Sequence, residues 1–449
     1  MRLTVLGGGG FRVPLVYQAL LEGHGDVGIE EVVLHDVDAR RLEAIGSVLR
    51  QLAEQAGRAP RVTATTDLEA AVLGASFVFS AIRVGGLQGR VIDERVALDH
   101  GVLGQETVGP GGLAYGLRTV PVMTRIAETV ARLAPDAWLI NFTNPAGMVT
   151  EALSRVLGDR VVGICDTPQG LCRRVARALG EDRMWFDYFG LNHLGWLRSA
   201  RARGRDRLPE LLADEARLTS FEEGRLFGVR WIRALGMIPN EYLYYYYNNA
   251  EAVRAISEAG TTRGEFLLAQ QESFYESVRA HPEHALAEWR RVRHERDRTY
   301  LGEGRTAAGL GERDSCDVEG GGYEEIALAL MAAIAQDRGD VLILNVRNRS
   351  AIPSLDADAV VEVPCYVDAN GPVPVAVGEV PQYAAGLMNQ LKAVERAVID
   401  AALTGSPDTA LDTAFLALGL HPLVPSTVTA GKILDGYVEQ HPQLRTRFT

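Results

Sequence analysis

Cysteine is scarce in this chain. The four present in 449 residues, Cys165, Cys172, Cys316 and Cys365, are too few and too scattered for a disulfide framework, and no CxxC pair offers a structural metal cage. A reducing, cytoplasmic setting is therefore expected, with free thiols of which one is a candidate metal ligand. Net positive charge is missing too: 46 Lys and Arg against 58 Asp and Glu leave a formal charge of −12. That balance argues against general binding to nucleic acid or an anionic membrane, though not against a local basic pocket. The opening MRLTVLGGGG holds only a short apolar run before its glycines, so neither a signal peptide nor a membrane span is expected there. Internal repeats and low-complexity tracts are absent.

What is present is the composition of an ordinary globular protein, 47% hydrophobic and 23% charged, long enough for two domains. The apolar runs LTVLG, EVVLHDV, RVTATT, FVFSAIR, AWLINFT and VVGIC alternate with stretches of helical spacing such as PLVYQALLEG and DLEAAVLGA. Strands separated by helices of this length predict a parallel, doubly wound sheet: an α/β, Rossmann-like domain over residues 1–165, of the lactate and malate dehydrogenase type. Residues 166–449 are helix-rich, with a charged stretch at Glu288–Arg305, glycines at 320–322 and a mostly helical tail after Tyr383, interrupted at HPLVPS. They are expected to form an α+β domain that binds substrate and metal. Open parallel sheets bind ligands beyond the carboxyl ends of their strands. Those ends carry Gly7–Gly10, Asp36, Arg83, Asn141–Asn144, and Cys165 with Asp166, and this edge is the expected active site.

The first strand runs into a glycine cluster and then a helix with Pro14 in its first turn. Such a turn is an anion site, because backbone N–H groups and the helix dipole converge on one point; a turn that serves only packing is the alternative. Gly8 and Gly10 fit the first two glycines of a dinucleotide fingerprint, while Val13 occupies the third position. Asp36, at the end of the second strand, stands where a carboxylate binds an adenosine ribose and favours NAD. A helix N-cap is the competing role, open to Asp36 or Asp38.

VVGICDTPQG delivers a thiol and a carboxylate side by side where a buried strand meets a turn. Cys165 followed by an Asp166 N-cap is the plain reading. GLNHLGW sets His193 among apolar residues, where a satisfied core histidine is the plain reading. Taken together, one thiolate and one imidazole under-fill a metal site and leave positions for substrate oxygens, as a catalytic cation requires. IPNEYLYYYYNN supplies Tyr242 and Tyr244–Tyr247; most are packing rings, but a tyrosine beside a cation can serve as general base. Arg83, Arg90 and Arg263 are candidates to hold a phosphate or carboxylate.

Read in order, VLGGGG, RVGGLQGRVIDE, GVLGQETVGPGG, LINFTNPAG, GICDTPQG, FGLNHLGW, PNEYLYYYY, VRNRSAIPSLDADAVVEVPCYV and HPLV resemble the motifs of glycoside hydrolase family 4, the NAD- and metal-dependent 6-phospho-glycosidases, over nearly the whole chain. The resemblance implies an NAD site at Gly8, Gly9, Gly10, Phe11 and Asp36, and Mn²⁺ or another divalent cation on Cys165 and His193. It further implies substrate contacts from Arg83, Asn144 and Arg263, with Tyr242 as general base. The substrate would be a phosphorylated disaccharide or other glycoside. Cleavage would proceed by oxidation at sugar carbon 3, removal of the carbon 2 proton, loss of the aglycone, addition of water and return of the hydride, outside the usual two-carboxylate scheme. Homodimers or homotetramers are usual in the family.

RVGGLQGR, NFTNPAG, GGGYEE and VRNRSAI resemble the 6-phospho-β-glucosidase branch, whose substrates include cellobiose 6-phosphate. Asp166 departs from that branch, which carries Asn there; the 6-phospho-α-glucosidase branch carries Asp, proposed as the acid for the leaving group. Asp99 also departs, standing where related sequences have Lys. The expectation is a 6-phospho-β-glucosidase, with the α-enzyme as alternative. An ordinary malate- or lactate-type dehydrogenase would need no Cys165, and an NAD-binding regulator would need neither an open metal site nor a base.

Overall fold

The computed structural model describes residues 1–23, 27–299 and 322–448; Cys316, Gly320, Gly321 and the charged stretch from residue 300 onward lie outside the described residues. Strands β1 (Arg2–Leu6), β2 (Glu31–His35), β3 (Arg61–Thr65), β4 (Phe77–Ser80), β5 (Trp138–Asn141) and β6 (Val161–Gly163) pair in parallel in the order 3-2-1-4-5-6. This is the doubly wound Rossmann arrangement, and the strand order reverses between β1 and β4 to open a crevice above their carboxyl ends. The central strands are covered on both faces: Val5, Leu34, Phe79, Ile140 and Val162 are almost wholly buried. That is why they read as unbroken apolar runs instead of alternating ones. Asp38 caps the helix Ala39–Glu54 by accepting from the N–H groups of Arg40 and Arg41.

A second sheet is built on an antiparallel hairpin, β7 (Trp185–Leu191) and β8 (Leu194–Ala202), joined by the two-residue turn Asn192–His193 and extended by β9 (Arg205–Asp206) and β10 (Ile238–Pro239). Further along, β11 (Asp340–Arg347), β12 (Val360–Asp368) and β13 (Gly371–Pro374) continue the first sheet antiparallel, β11 joining β6 through Asn345 opposite Gly163. The remainder is helix-rich, ending in Gln382–Leu403, Pro407–Leu420, Thr427–Gln440 and Pro442–Phe448. With the helix Pro110–Leu133, these helices cover one face of the sheet, in a core that includes Leu117, Met123, Val398, Leu418 and Ile433. The opposite face packs Val16, Ile45, Trp289 and Met331 into another core. No helix among the described residues is long and apolar enough to cross a membrane.

Three donors from the helical part grip the carbonyls of the glycine turn. Tyr275 Oη donates to Gly9 O at 2.6 Å, Trp289 Nε1 to Phe11 O at 2.8 Å and Tyr323 Oη to Arg12 O at 2.7 Å. The crevice is thereby walled by both halves of the chain.

Candidate active site

A cavity of about 890 Å³ lies at the carboxyl ends of the parallel strands. On its β1 side Gly10 and Phe11 form the wall. Gly8 and Gly9 are turned the other way: a Cβ on Gly8 would lie 2.7 Å from Leu34 Cβ, and one on Gly9 would lie 2.6 Å from Arg41 Cβ. Gly8 lets the turn lie flat on β2, where Gly7 and Gly8 donate to His35 O, and Gly9 lets it approach the start of the helix Ala39–Glu54. Asp36 lines the cavity and is not the helix cap, a role taken by Asp38. Its Oδ2 accepts from Gly9 N at 3.1 Å and its Oδ1 from Asp38 N at 3.1 Å, so it also holds the turn.

Across the cavity stand Cys165, Asp166, His193 and Tyr242. β6 ends at Gly163, and the buried Cys165 follows with its Sγ 3.3 Å from Thr167 Oγ1. Burial pushes this thiol up, reinforced by the carboxylates of Glu362 and Asp166. Asp166 occupies the N-cap position of the helix Thr167–Leu179, yet its side chain accepts no bond from the helix end. The carboxylate is left to the cavity, which the plain capping role does not explain.

His193 sits in the hairpin turn with φ 62°, a left-handed conformation uncommon for a residue with a Cβ and concentrated at functional sites. Its Nδ1 lies 3.0 Å from Thr107 Oγ1, which leaves Nε2 as the ring atom for a ligand. Burial lowers its pKa to about 4, so the imidazole is neutral near pH 7, the form that binds metal. The ring stacks on Tyr242 with centroids 3.7 Å apart. Tyr242 belongs to the short turn Glu241–Leu243, started by Asn240, whose Oδ1 accepts from Tyr242 N at 3.1 Å. Tyr245 also lines the cavity, whereas Tyr244, Tyr246 and Tyr247 pack, and burial raises their phenols.

The third side is cationic. Arg83 and Arg90 both pair with Glu106, at 2.6 and 2.9 Å, and Arg90 also pairs with Glu94 at 2.7 Å. Burial alone would raise the Glu106 carboxyl, but the two guanidinium groups outweigh it and hold it at about 2. Arg263 lines the cavity with its guanidinium tied to Thr299 Oγ1 (2.7 Å) and Arg296 O (3.1 Å). Asn144 lines it too, its Oδ1 accepting from Ala146 N at 3.3 Å. Sequence reasoning missed Arg12, Glu106 and Arg296. Arg296 is partly buried beside the Phe11 ring, and desolvation together with the charges of Arg12, Arg263 and Arg90 pulls its pKa well down, against Glu106. A cluster of like charges facing a cavity is stabilised by an anion placed among them.

Glu362 was missed as well. It is buried on β12 and accepts from Asn345, Asn192 and Tyr188; burial raises its carboxyl to about 7 against these three donors. The signal was a single carboxylate inside the apolar strand VVEVPCYV.

The residues fit both groups expected here. A glycine turn at the sheet's switch point with a carboxylate at the end of β2 suits a dinucleotide. A buried thiol and a neutral imidazole that line one cavity suit a divalent cation. The three cysteines among those residues are unpaired and buried.

These features define a Rossmann-type enzyme class in which a dinucleotide-shaped turn, an open thiol–imidazole pair and an anion-binding arginine cluster share one cavity. The family 4 glycosyl hydrolase model matches residues 2–181 and the family's C-terminal domain model matches residues 188–424; the chain belongs to this family. It is 34% identical to a probable 6-phospho-β-glucosidase of Bacillus subtilis, over all of this chain and 98% of that one. It is 32% identical to a 6-phospho-α-glucosidase of Leptotrichia buccalis, over 97% of each. Its fold superposes on the 6-phospho-β-glucosidase of Thermotoga maritima, solved with manganese, NAD⁺ and glucose 6-phosphate, with a TM-score of 0.80, 26% identity and coverage of 100% and 99% of the two chains.

Proposed function

We propose that this protein is a 6-phospho-β-glucosidase that works with NAD⁺ and Mn²⁺ by a redox-assisted elimination. The observation that carries the reading is the sharing of one cavity by Asp36 and Gly10, by Cys165, His193 and Tyr242, and by the arginines. The relatives' names supply the phosphorylated sugar. When bound, NAD⁺ would supply a reversible hydride acceptor and Mn²⁺ a Lewis acid for neighbouring sugar oxygens.

The chain's own residues then divide the remaining work. Gly10, Phe11 and Asp36 hold the cofactor, and Cys165 and His193 hold the cation. Arg83, Arg90 and Arg296 receive the sugar phosphate, Arg263 buttresses Arg296, and Asn144 contacts a sugar hydroxyl. The Tyr242 oxygen takes the proton from sugar carbon 2, and Asp166 gives a proton to the departing glycosidic oxygen. The β preference rests on RVGGLQGR, NFTNPAG, GGGYEE and VRNRSAI; Asp166 favours the α-anomer.

The test is hydrolysis of nitrophenyl 6-phospho-β-glucoside and its α-anomer by reduced protein, with and without NAD⁺ and Mn²⁺. Cleavage of the β-anomer that needs both additions, without NADH accumulating, is expected. Cleavage of the α-anomer alone would reassign the specificity, and steady NADH formation on a hydroxy acid with neither sugar cleaved would make the protein a dehydrogenase.

A further inference from the structure

We propose that Glu362 is a positioning residue that aligns the thiol, the imidazole and the phenol of the site through one branched network of hydrogen bonds. The inference rests on the metal-site reading above and adds a residue to it.

Glu362 is 1% exposed and, in its ionised form, only accepts. Its Oε1 accepts from Asn345 Nδ2 (2.9 Å) and from Asn192 Nδ2 (3.3 Å). The second of these bonds fixes the residue preceding His193 in the hairpin turn. Its Oε2 accepts from Tyr188 Oη at 3.1 Å. Because Tyr188 spends its hydrogen there, its oxygen faces Asn240, whose Nδ2 reaches it at 3.4 Å and also donates to Thr167 Oγ1 at 2.9 Å. Thr167 Oγ1 in turn contacts Cys165 Sγ, 3.3 Å away. The same amide orientation presents Asn240 Oδ1 to Tyr242 N at 3.1 Å.

Asn240 thus donates along both arms, toward Glu362 through Tyr188 and toward Cys165 through Thr167, and the ionised carboxylate, which cannot donate, holds that orientation. The hydroxyl so placed holds the sulfur at the cavity edge, where a metal ligand is needed. Local packing is built around this path: a Cβ on Gly195 would overlap the Tyr188 hydroxyl, so glycine at that hairpin position keeps the tyrosine in reach of Glu362.

Glu362→Gln preserves shape and removes polarity. A Gln Nε2 at Oε2 would donate to Tyr188, turn the Tyr188 hydrogen toward Asn240, and favour a flipped Asn240 amide that gives up both Tyr242 N and the Thr167 arrangement. Mn²⁺ titration followed by loss of the free-ion EPR signal, on reduced, NAD⁺-bound protein, reads this directly. Expected is a weakening of Mn²⁺ binding by about 10–100-fold, with NAD⁺ affinity within twofold of wild type and little change in melting temperature. Tyr188→Phe, which cuts the path at another point, is expected to give the same selective loss and serves if Glu362→Gln does not fold. Mn²⁺ affinity unchanged in both variants, or lost only in step with NAD⁺ affinity and melting temperature, would overturn the role of Glu362. A wild-type protein that binds no Mn²⁺ would overturn the metal-site reading instead.

Discussion

The imidazole of His193 and the phenol of Tyr242 lie face to face, with centroids 3.7 Å apart and planes within 3° of parallel. The two rings come from separate elements, a hairpin turn and a short turn after β10. Their contact therefore sets the position of the proposed base relative to the proposed metal ligand. Stacking accounts for the position of the ring, and chemistry requires only its hydroxyl.

Tyr242→Phe separates these two contributions. The variant keeps the stack and is expected to bind Mn²⁺ and NAD⁺ normally while kcat falls by about 10²–10⁴-fold, the usual worth of a general base. Tyr242→Leu is expected to lose Mn²⁺ affinity as well. Comparing metal titrations and turnover in the two variants checks this.

Cys165→Ser replaces the buried sulfur with a hydroxyl that does not ionise near pH 7 and so supplies no anionic ligand to the cation. Mn²⁺ affinity is expected to drop at least tenfold, while melting of the metal-free protein changes little. Chelation of wild-type protein should reproduce the activity loss, reversibly on adding Mn²⁺ under reducing conditions. Full turnover in the variant would remove Cys165 from the site.

Asp166→Asn tests the acid role. Its carboxylate makes no capping bond that the substitution would disturb. Loss of activity is expected to be large on natural disaccharide phosphates and small on nitrophenyl substrates, whose leaving groups need no proton. Equal losses on both would assign Asp166 a role in orienting the site.

Glu106 carries a pH signature. Its folded pKa of about 2 lies below the ordinary 4.5, so the stability it contributes is complete above about 4.5 and is lost as pH falls from there toward 2. Glu106→Gln leaves Arg83 and Arg90 without this carboxylate. The expected destabilisation near pH 7 is about 3 kcal/mol, the low end for a buried pair, because the Arg83 side chain is 27% exposed. The difference from wild type should shrink as pH falls below 4.5, measured by urea unfolding across that range.

Much of this architecture was legible in the sequence because it is local. Buried parallel strands appear as apolar runs, and strand ends with Gly10, Asp36, Cys165 and Asp166 mark the site edge regardless of what packs around them. What escaped depends on distant pairing. The antiparallel extension of the sheet hangs on Asn345 opposite Gly163, which no local pattern signals. His193 was legible as a residue but not as a left-handed turn position. Arg296 and Glu106 gain their meaning from each other and from Arg83, Arg90 and Arg263, which converge only in the folded chain. Gly8 and Gly9 lie in the glycine turn, yet Gly8 packs against β2 and Gly9 against the start of the helix Ala39–Glu54, which leaves the cavity wall to Gly10 and Phe11.

The central claim is that cleavage passes through removal of the proton on sugar carbon 2 at Tyr242. It is tested most directly by hydrolysing a nitrophenyl 6-phosphoglucoside in D₂O with NAD⁺ and Mn²⁺ and examining the glucose 6-phosphate by NMR. Deuterium at carbon 2 in wild-type product, and its loss together with turnover in Tyr242→Phe, is the expected result. Product cleaved at full rate with hydrogen retained at carbon 2 would contradict the account.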